Sequence, residues 1–234
     1  MRVLVTRPQP DAQATAARLA AAGHQAIVDP MLAVEAIEGA RLPDGRFDAV
    51  ALTSVNGARL LALRPEAAAL VRLPLYAVGR RTAAAAPDHS VPMHIASGNG
   101  AALVALLRAT LPRGARLLHV AGEERAVDLG AALAPDGIHT ELFVIYRTVP
   151  AGALAPATLA AVEQGWVDAA FHFSARTAAT LAARASAAGA SAHFRHIRHL
   201  CFSANVAAPL AAAGWPTQVA DEPTEEGLFA LLGG

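Results

Sequence analysis

Residues 47–54 read Phe47-Asp48-Ala49-Val50-Ala51-Leu52-Thr53-Ser54, and residues 167–174 read Val167-Asp168-Ala169-Ala170-Phe171-His172-Phe173-Ser174. Each is a short apolar run that starts at an aspartate and ends on a small hydroxyl residue. That is the pattern of a buried parallel strand leaving its sheet at a polar turn. The correspondence continues on either side. Val3-Leu4-Val5, the helix end Leu19 to Gly23 and Ile27-Val28 match Leu117-Leu118-His119-Val120, Leu133 to Gly137 and Phe143-Val144. Leu75-Tyr76-Ala77-Val78 matches Leu200-Cys201-Phe202-Ser203, and Ser97 to Leu107 matches Glu222 to Leu232. The chain therefore reads as one α/β unit written twice, with a spacing that drifts as loops change length. An Ala-rich composition also produces some of this similarity by itself.

The expected strands are 3–5, 26–29, 48–53, 75–78, 93–96, 116–120, 142–146, 169–173, 200–202 and 218–220, with Ala/Leu-rich helices in most of the gaps. This alternation predicts an α/β protein with parallel sheets covered on both faces, five strands to a copy, the count of a small flavodoxin-like sheet. Two such units predict a cleft between them as a place for a ligand.

Composition removes several chemistries. The 234 residues, 54% hydrophobic and 16% charged, suit two small domains better than one large one. Basic and acidic residues both number 19, so the basic surplus of a nucleic-acid binder is missing. Every basic residue is Arg, which excludes a P-loop lysine and any Schiff-base lysine. The single Cys201 excludes an internal disulfide and a cysteine metal cage, and it fits a reducing compartment. The run Val3-Leu4-Val5 stops at Thr6-Arg7-Pro8, too short for a signal-peptide core, and no Ala-rich stretch reads as a membrane span. The expectation is a cytoplasmic protein, monomeric by default, without membrane or nucleic-acid partners.

Open parallel sheets bind ligands beyond the carboxyl ends of their strands. The sequence places small polar groups and glycine there: Thr6-Arg7, Ser54 and Asn56, Gly79 and Thr82, Ser174, Ser203 and Asn205. Hydroxyls and free N–H groups at such positions hold carboxylates or phosphates, and the same serines serve equally as helix N-caps. His193-x-x-His196-x-x-His199 is expected to be a polar connection and not a metal site. Ser97-Gly98-Asn99-Gly100 lacks the third glycine of a dinucleotide loop, Leu103 standing in its place. Asp48 and Asp168 begin strands, at the end remote from a ligand site, and read as turn residues. Tyr146 closes an apolar strand before a Pro/Ala-rich connection. Its ring is accounted for by packing, and a tyrosine hydroxyl is also a neutral proton donor at pH 7.

Together, Val5-Thr6-Arg7-Pro8, Leu52-Thr53-Ser54-Val55-Asn56, Ala77-Val78-Gly79 with Thr82, Gly122, Leu133, Tyr146-Arg147-Thr148, Phe173-Ser174, Ala212 to Gly214 and Pro223-Thr224 resemble the uroporphyrinogen-III synthase family in order and spacing. The resemblance spans essentially the whole chain. It implies cyclisation of hydroxymethylbilane, a tetrapyrrole with eight carboxylate arms, to uroporphyrinogen III, with ring D inverted through a spiro intermediate and water lost. No cofactor or metal is implied. It also implies two α/β domains, residues 1–33 plus 150–234 and residues 37–143, joined by a two-stranded linker at about 34–36 and 144–149. Tyr146 matches the family's candidate acid. Ser54, Thr82, Ser174 and Ser203 match substrate contacts, with Arg7, Asn56, Gly79 and Asn205 beside them. Two departures stand out: Ala121 where many members have Arg, and Val206 where many have Thr. A non-catalytic two-lobed binder or sensor of a small anionic ligand is the alternative; the strand-end Tyr146 is the feature that separates the two.

Overall fold

The computed structural model describes residues 1–233. In chain order the elements begin with β1 (Arg2–Val5), α1 (Asp11–Ala21), β2 (Gln25–Val28), β3 (Leu32–Ala36), β4 (Ala49–Leu52), α2 (Val55–Ala62), α3 (Ala67–Leu70) and β5 (Leu75–Val78). They continue with α4 (Gly79–Ala84), β6 (Met93–Ala96), α5 (Gly100–Thr110), β7 (Arg116–Gly122), α6 (Leu129–Leu133) and β8 (His139–Pro150). The last are α7 (Pro156–Glu163), β9 (Ala169–His172), α8 (Ala175–Ala187), α9 (Ser191–Phe194), β10 (Arg198–Cys201), α10 (Ala204–Ala212), β11 (Thr217–Val219) and α11 (Glu225–Ala230). The fold is α/β and its sheets are dominated by parallel pairs. No helix among the described residues is long and apolar enough to cross a membrane.

The chain divides into two compact units, residues 1–33 with those from 149 on, and residues 34–148. The first holds a sheet ordered β2-β1-β9-β10-β11, the second a sheet ordered β3-β8-β7-β4-β5-β6. Each sheet therefore combines strands from both sequence copies. β1 and β2 of the first copy join β9, β10 and β11 of the second, while β7 and β8 join β4, β5 and β6. Setting matching strands side by side makes the two orders identical, with β3 added at one edge.

Successive strand residues face opposite sides of a sheet. In the first unit Leu4, Ala170 and Cys201 enter one apolar cluster, while Val3, Val5, Ala169, Phe171 and Leu200 enter another. In the second, Val50, Leu52, Leu118 and Val120 oppose Ala49, Ala51 and Leu117. Both faces of both sheets are thus buried, which explains why these strands read as near-continuous apolar runs.

The two aspartates that begin matching strands have a definite task. The Asp168 carboxylate accepts the Arg2 backbone N–H at 2.6 Å and its guanidinium at 2.9 Å, while the Asp168 N–H donates to the Arg2 carbonyl. Asp48 holds the Arg116 N–H at 2.8 Å in the same way, and the Asp48 N–H donates to the Arg116 carbonyl. In both units the pair locks a strand of one copy to a strand of the other at the amino edge of the sheet. These residues are strand clamps more than turn residues.

Three features differ from the sequence expectation. β3 was not among the strands expected from the apolar pattern, although the family resemblance implies a linker strand at about 34–36. It is a half-exposed edge strand with little hydrophobic signal, paired with β8. β8 is much longer than 142–146; Ile37 N–H donates to Ile145 O and Ala151 N–H to Met31 O, an antiparallel register along its second half. Finally, the histidine tract is a polar connection only in part: His193 in α9 and His196 after it are exposed, whereas His199 lies in β10 and is fully buried.

The His199 ring lies against Trp215 with centroids 4.8 Å apart. Its Nε2 faces the Phe194 carbonyl at 2.9 Å and must donate, so its Nδ1 is unprotonated and accepts from His172 Nε2–H at 3.0 Å. Desolvation lowers His199 to about 4, and it pushes His172, with the neighbouring His199 adding, well below the usual imidazole range. Both rings are neutral when folded, whereas in the unfolded chain they take up protons below about pH 6.5. The stability they contribute is therefore complete above pH 6.5 and lost as pH falls toward 4. We expect about 2 kcal/mol to be lost through His199 between pH 6.5 and pH 5, with His172 acting in the same direction. Urea unfolding across that range checks this: the pH slope should flatten in a His172→Leu/His199→Phe double variant, and an unaltered slope contradicts the assignment.

Candidate active site

In the second unit the strand order reverses between β4 and β7, and the crevice beyond the carboxyl ends at such a reversal is where open parallel sheets hold ligands. The structure has a cavity of about 910 Å³ there, with Thr53, Ser54, Asn99, Gly122, Arg125 and Tyr146 among its lining residues. It is built from the turns after β4 and β7, the start of α5 and the middle of β8.

Tyr146 reaches this place through an irregularity in β8. Ala121 of β7 pairs with Val144, but the next residue, Gly122, pairs with Tyr146, so Ile145 is an extra residue. A bulge of this kind breaks the two-residue alternation and re-aims the side chain that follows. Accordingly Phe143, Ile145 and Tyr146 all enter the same apolar cluster. The Glu123 N–H donates to the Tyr146 carbonyl at 3.0 Å and closes the irregular stretch. The phenol ring then lies on Gly122: a Cβ there would stand 2.6 Å from ring atoms Cε2 and Cζ and 3.0 Å from Oη. On the other edge, a Cβ on Gly57 would stand 3.6 Å from Cε1.

The hydroxyl held in this way lies 2.7 Å from Ser54 Oγ. Ser54 is the N-cap of α2, and its oxygen accepts the Gly57 N–H at 2.9 Å. Capping and site roles thus coincide in one residue. Next to it, Thr53 Oγ1 lies 2.9 Å from Nε2 of His119. His119 is buried in β7, and desolvation lowers it to about 4, with Arg125 adding to the shift and Asp128 opposing it. It is neutral at pH 7 and steadies the β4–α2 turn as a hydrogen-bond partner. The sequence reading missed it; its signal was a lone polar residue inside Leu117-Leu118-His119-Val120. Arg125 donates to the carbonyls of Gly122 and Glu123 and brings a positive charge to the cavity.

The other expected residues have different surroundings. Asn56 is half-buried in the first turn of α2. Gly79 opens α4 with φ of +75°, a conformation that accounts for glycine, and it lines a separate shallow pocket with Ile95 and Ser97. Thr82 is only 4% exposed on α4, turned inward and not among the cavity-lining residues. In the first unit, Arg7 donates to Asp11 and Thr15, sits 3.7 Å from Glu225 and stacks on Phe173, so its charge is engaged internally. Ser174 caps α8 through the Thr177 N–H and bonds the Thr177 hydroxyl. Ser203 stands at the N-cap of α10 without making the capping bond, and Asn205 beside it is exposed.

Known proteins share this arrangement of elements. The family model described as uroporphyrinogen-III synthase HemD matches residues 13–230. Among solved structures, uroporphyrinogen-III synthetase from Helicobacter pylori is similar at 18% identity and a TM-score of 0.62, over 99% of this chain and 98% of that one. A mutant uroporphyrinogen III synthase from the extremely thermophilic bacterium Thermus thermophilus is similar at 21% identity and a TM-score of 0.55, over 100% and 96%. At these identities the two structures show the shared fold alone. No curated protein gives a match.

The contact between Gly122 and the phenol gives a direct expectation. Gly122→Ala forces a methyl group into the Tyr146 ring and should destabilise the protein by about 1–3 kcal/mol. Urea unfolding measures this, and the same substitution made in a Tyr146→Ala background, where the ring is gone, should cost almost nothing relative to Tyr146→Ala alone. A Gly122→Ala protein as stable as the wild type contradicts the packing.

Proposed function

The chain belongs to the uroporphyrinogen-III synthase family, cyclising lyases of haem biosynthesis, and we propose that it cyclises hydroxymethylbilane from the Ser54–Tyr146 hydroxyl pair. The reaction needs little from the protein beyond one proton at one place and control of shape. When the terminal hydroxyl is protonated it leaves as water, and the remaining methylene carbon is stabilised by the lone pair of its pyrrole nitrogen. The substituted carbon of ring D attacks that carbon to give the spiro intermediate. Fragmentation and reclosure then invert the ring, and loss of one pyrrole proton restores aromaticity. No proton is consumed overall, so a single group that gives and later takes back a proton suffices.

Tyr146 is assigned as that group. The observation that carries the assignment is its phenol oxygen, buried at the cavity wall 2.7 Å from Ser54. A non-catalytic binder has no use for a hydroxyl held so closely. Positioning supplies the rest of the rate, because the bilane must be folded until its two ends meet. Arg125 and the N–H groups at the start of α5 border the cavity and are suited to the carboxylate arms, while Asn56 and Gly79, outside its lining, are assigned to the substrate from the family resemblance. In the first unit Ser203 and Asn205 are the groups suited to a further carboxylate, since Arg7 and Ser174 are already engaged. Thr82 supports α4 from within.

We read the two units as flavodoxin-like domains. The order β2-β1-β9-β10-β11 supports this, being 2-1-3-4-5 in the chain order of its unit, and β3 with β8 serves as the two-stranded linker. The even charge balance supports a small-molecule tetrapyrrole over nucleic acid as partner. Cys201, whose thiol desolvation pushes up to about 12, suits a cytoplasmic setting. A monomer is the state we assign.

Supplied with enzymatically generated hydroxymethylbilane, the protein should yield uroporphyrinogen III; isomer I alone, the product of unassisted closure, contradicts the function. Tyr146→Phe should lower kcat by roughly 10²-fold or more while KM stays within about threefold. An unchanged kcat removes the acid role.

A further inference from the structure

A serine oxygen carries one proton and two lone pairs, and at Ser54 each of the three can be followed. One lone pair is filled by the Gly57 N–H at 2.9 Å. The Tyr146 hydroxyl, 2.7 Å away, either fills the other or receives the serine proton. Either oxygen can donate at this distance; the greater acidity of a phenolic hydroxyl favours the arrangement in which Tyr146 donates and Ser54 accepts. Both lone pairs are then occupied, and the Ser54 proton is left without an internal acceptor among the described residues. Tyr146, by contrast, is only 7% exposed, with Gly122 against its ring and Gly57 at its other edge. Ser54 is the more open of the two, half-buried on the cavity wall.

We propose that Ser54 is a catalytic residue in its own right: the Tyr146 proton reaches the substrate through the Ser54 hydroxyl, and the same two-oxygen relay returns a proton at the end of the cycle. In the forward step the Ser54 O–H bond breaks as its proton joins the leaving hydroxyl. The C–O bond breaks with its electron pair on oxygen, and water departs. The Tyr146 O–H bond breaks as its proton replaces the one Ser54 gave up, leaving a phenolate that the new serine hydroxyl stabilises by donation. The pyrrole proton released on rearomatisation passes to Ser54, and the serine proton passes back to Tyr146. Substrate becomes product and water with the protein unchanged. Holding the ring deep and the donor shallow lets a bulky phenol be fixed by packing while a small, cavity-facing group meets the substrate.

This inference rests on the acid role assigned to Tyr146, and the test keeps the two apart. Single-turnover rates with hydroxymethylbilane should fall roughly 10- to 100-fold in Ser54→Ala, with KM nearly unchanged. Ser54→Asn retains an acceptor for the helix cap but has no hydroxyl, and it should be equally slow. Ser54→Thr keeps both features and should restore most of the rate. In mixtures of H2O and D2O the wild-type rate should bow with deuterium content, because two protons move together. Ser54→Ala and Ser54→Asn within about twofold of wild type, or a straight-line dependence in the wild type, overturns the relay. If Tyr146→Phe is slow under those outcomes, the acid role survives without the relay. If Tyr146→Phe is also unimpaired, both fall.

Discussion

A phenol ring pressed on a residue that has no Cβ governs the arrangement of the site. Gly122 leaves the space that Tyr146 occupies, and the Cβ of any other residue there would stand 2.6 Å from the ring. The ring arrives there because β8 carries one residue more than β7 needs, which turns position 146 to the same side as 143 and 145. With the ring fixed, its oxygen meets the N-cap of α2, and that cap is itself fixed by the Gly57 N–H. The hydroxyl contact, helix initiation and strand irregularity share the same few atoms, so none of them is free to vary alone.

The scaffold that makes this possible is a pair of sheets with matching strand order, each assembled from both halves of the sequence. The Asp48–Arg116 and Asp168–Arg2 clamps do the same work at the amino edges, far from the ligand end. This separation is physically sensible. Charged pairs secure the amino edge, while the carboxyl edge of the second unit combines hydroxyls, glycine and backbone N–H groups with the charge of Arg125.

Much of this was legible in the sequence. The central strands are apolar runs of four or five residues, and burial on both faces leaves few other ways to read them. Ser54 and Tyr146 stood out because they end such runs. Most of what the apolar pattern missed depends on partners remote in sequence. β3 is an edge strand whose partner is remote in sequence. The bulge before Tyr146 depends on the register against β7 and not on the residues of β8 alone. His119 looked like part of an apolar strand, and His172 and His199 become a neutral buried pair only when two strands meet. Arg7 read as a charge for the substrate; in the fold it pairs with Asp11, one helical turn on, and lies 3.7 Å from Glu225, which is remote in sequence.

Joint neutron and X-ray refinement of the deuterated protein observes the central interaction without recourse to kinetics. A deuterium on the Tyr146 oxygen should be directed at Ser54 Oγ, with the Ser54 deuterium pointing into the cavity. A Ser54 deuterium directed at Tyr146, or a phenol turned away from Ser54 altogether, would contradict this arrangement.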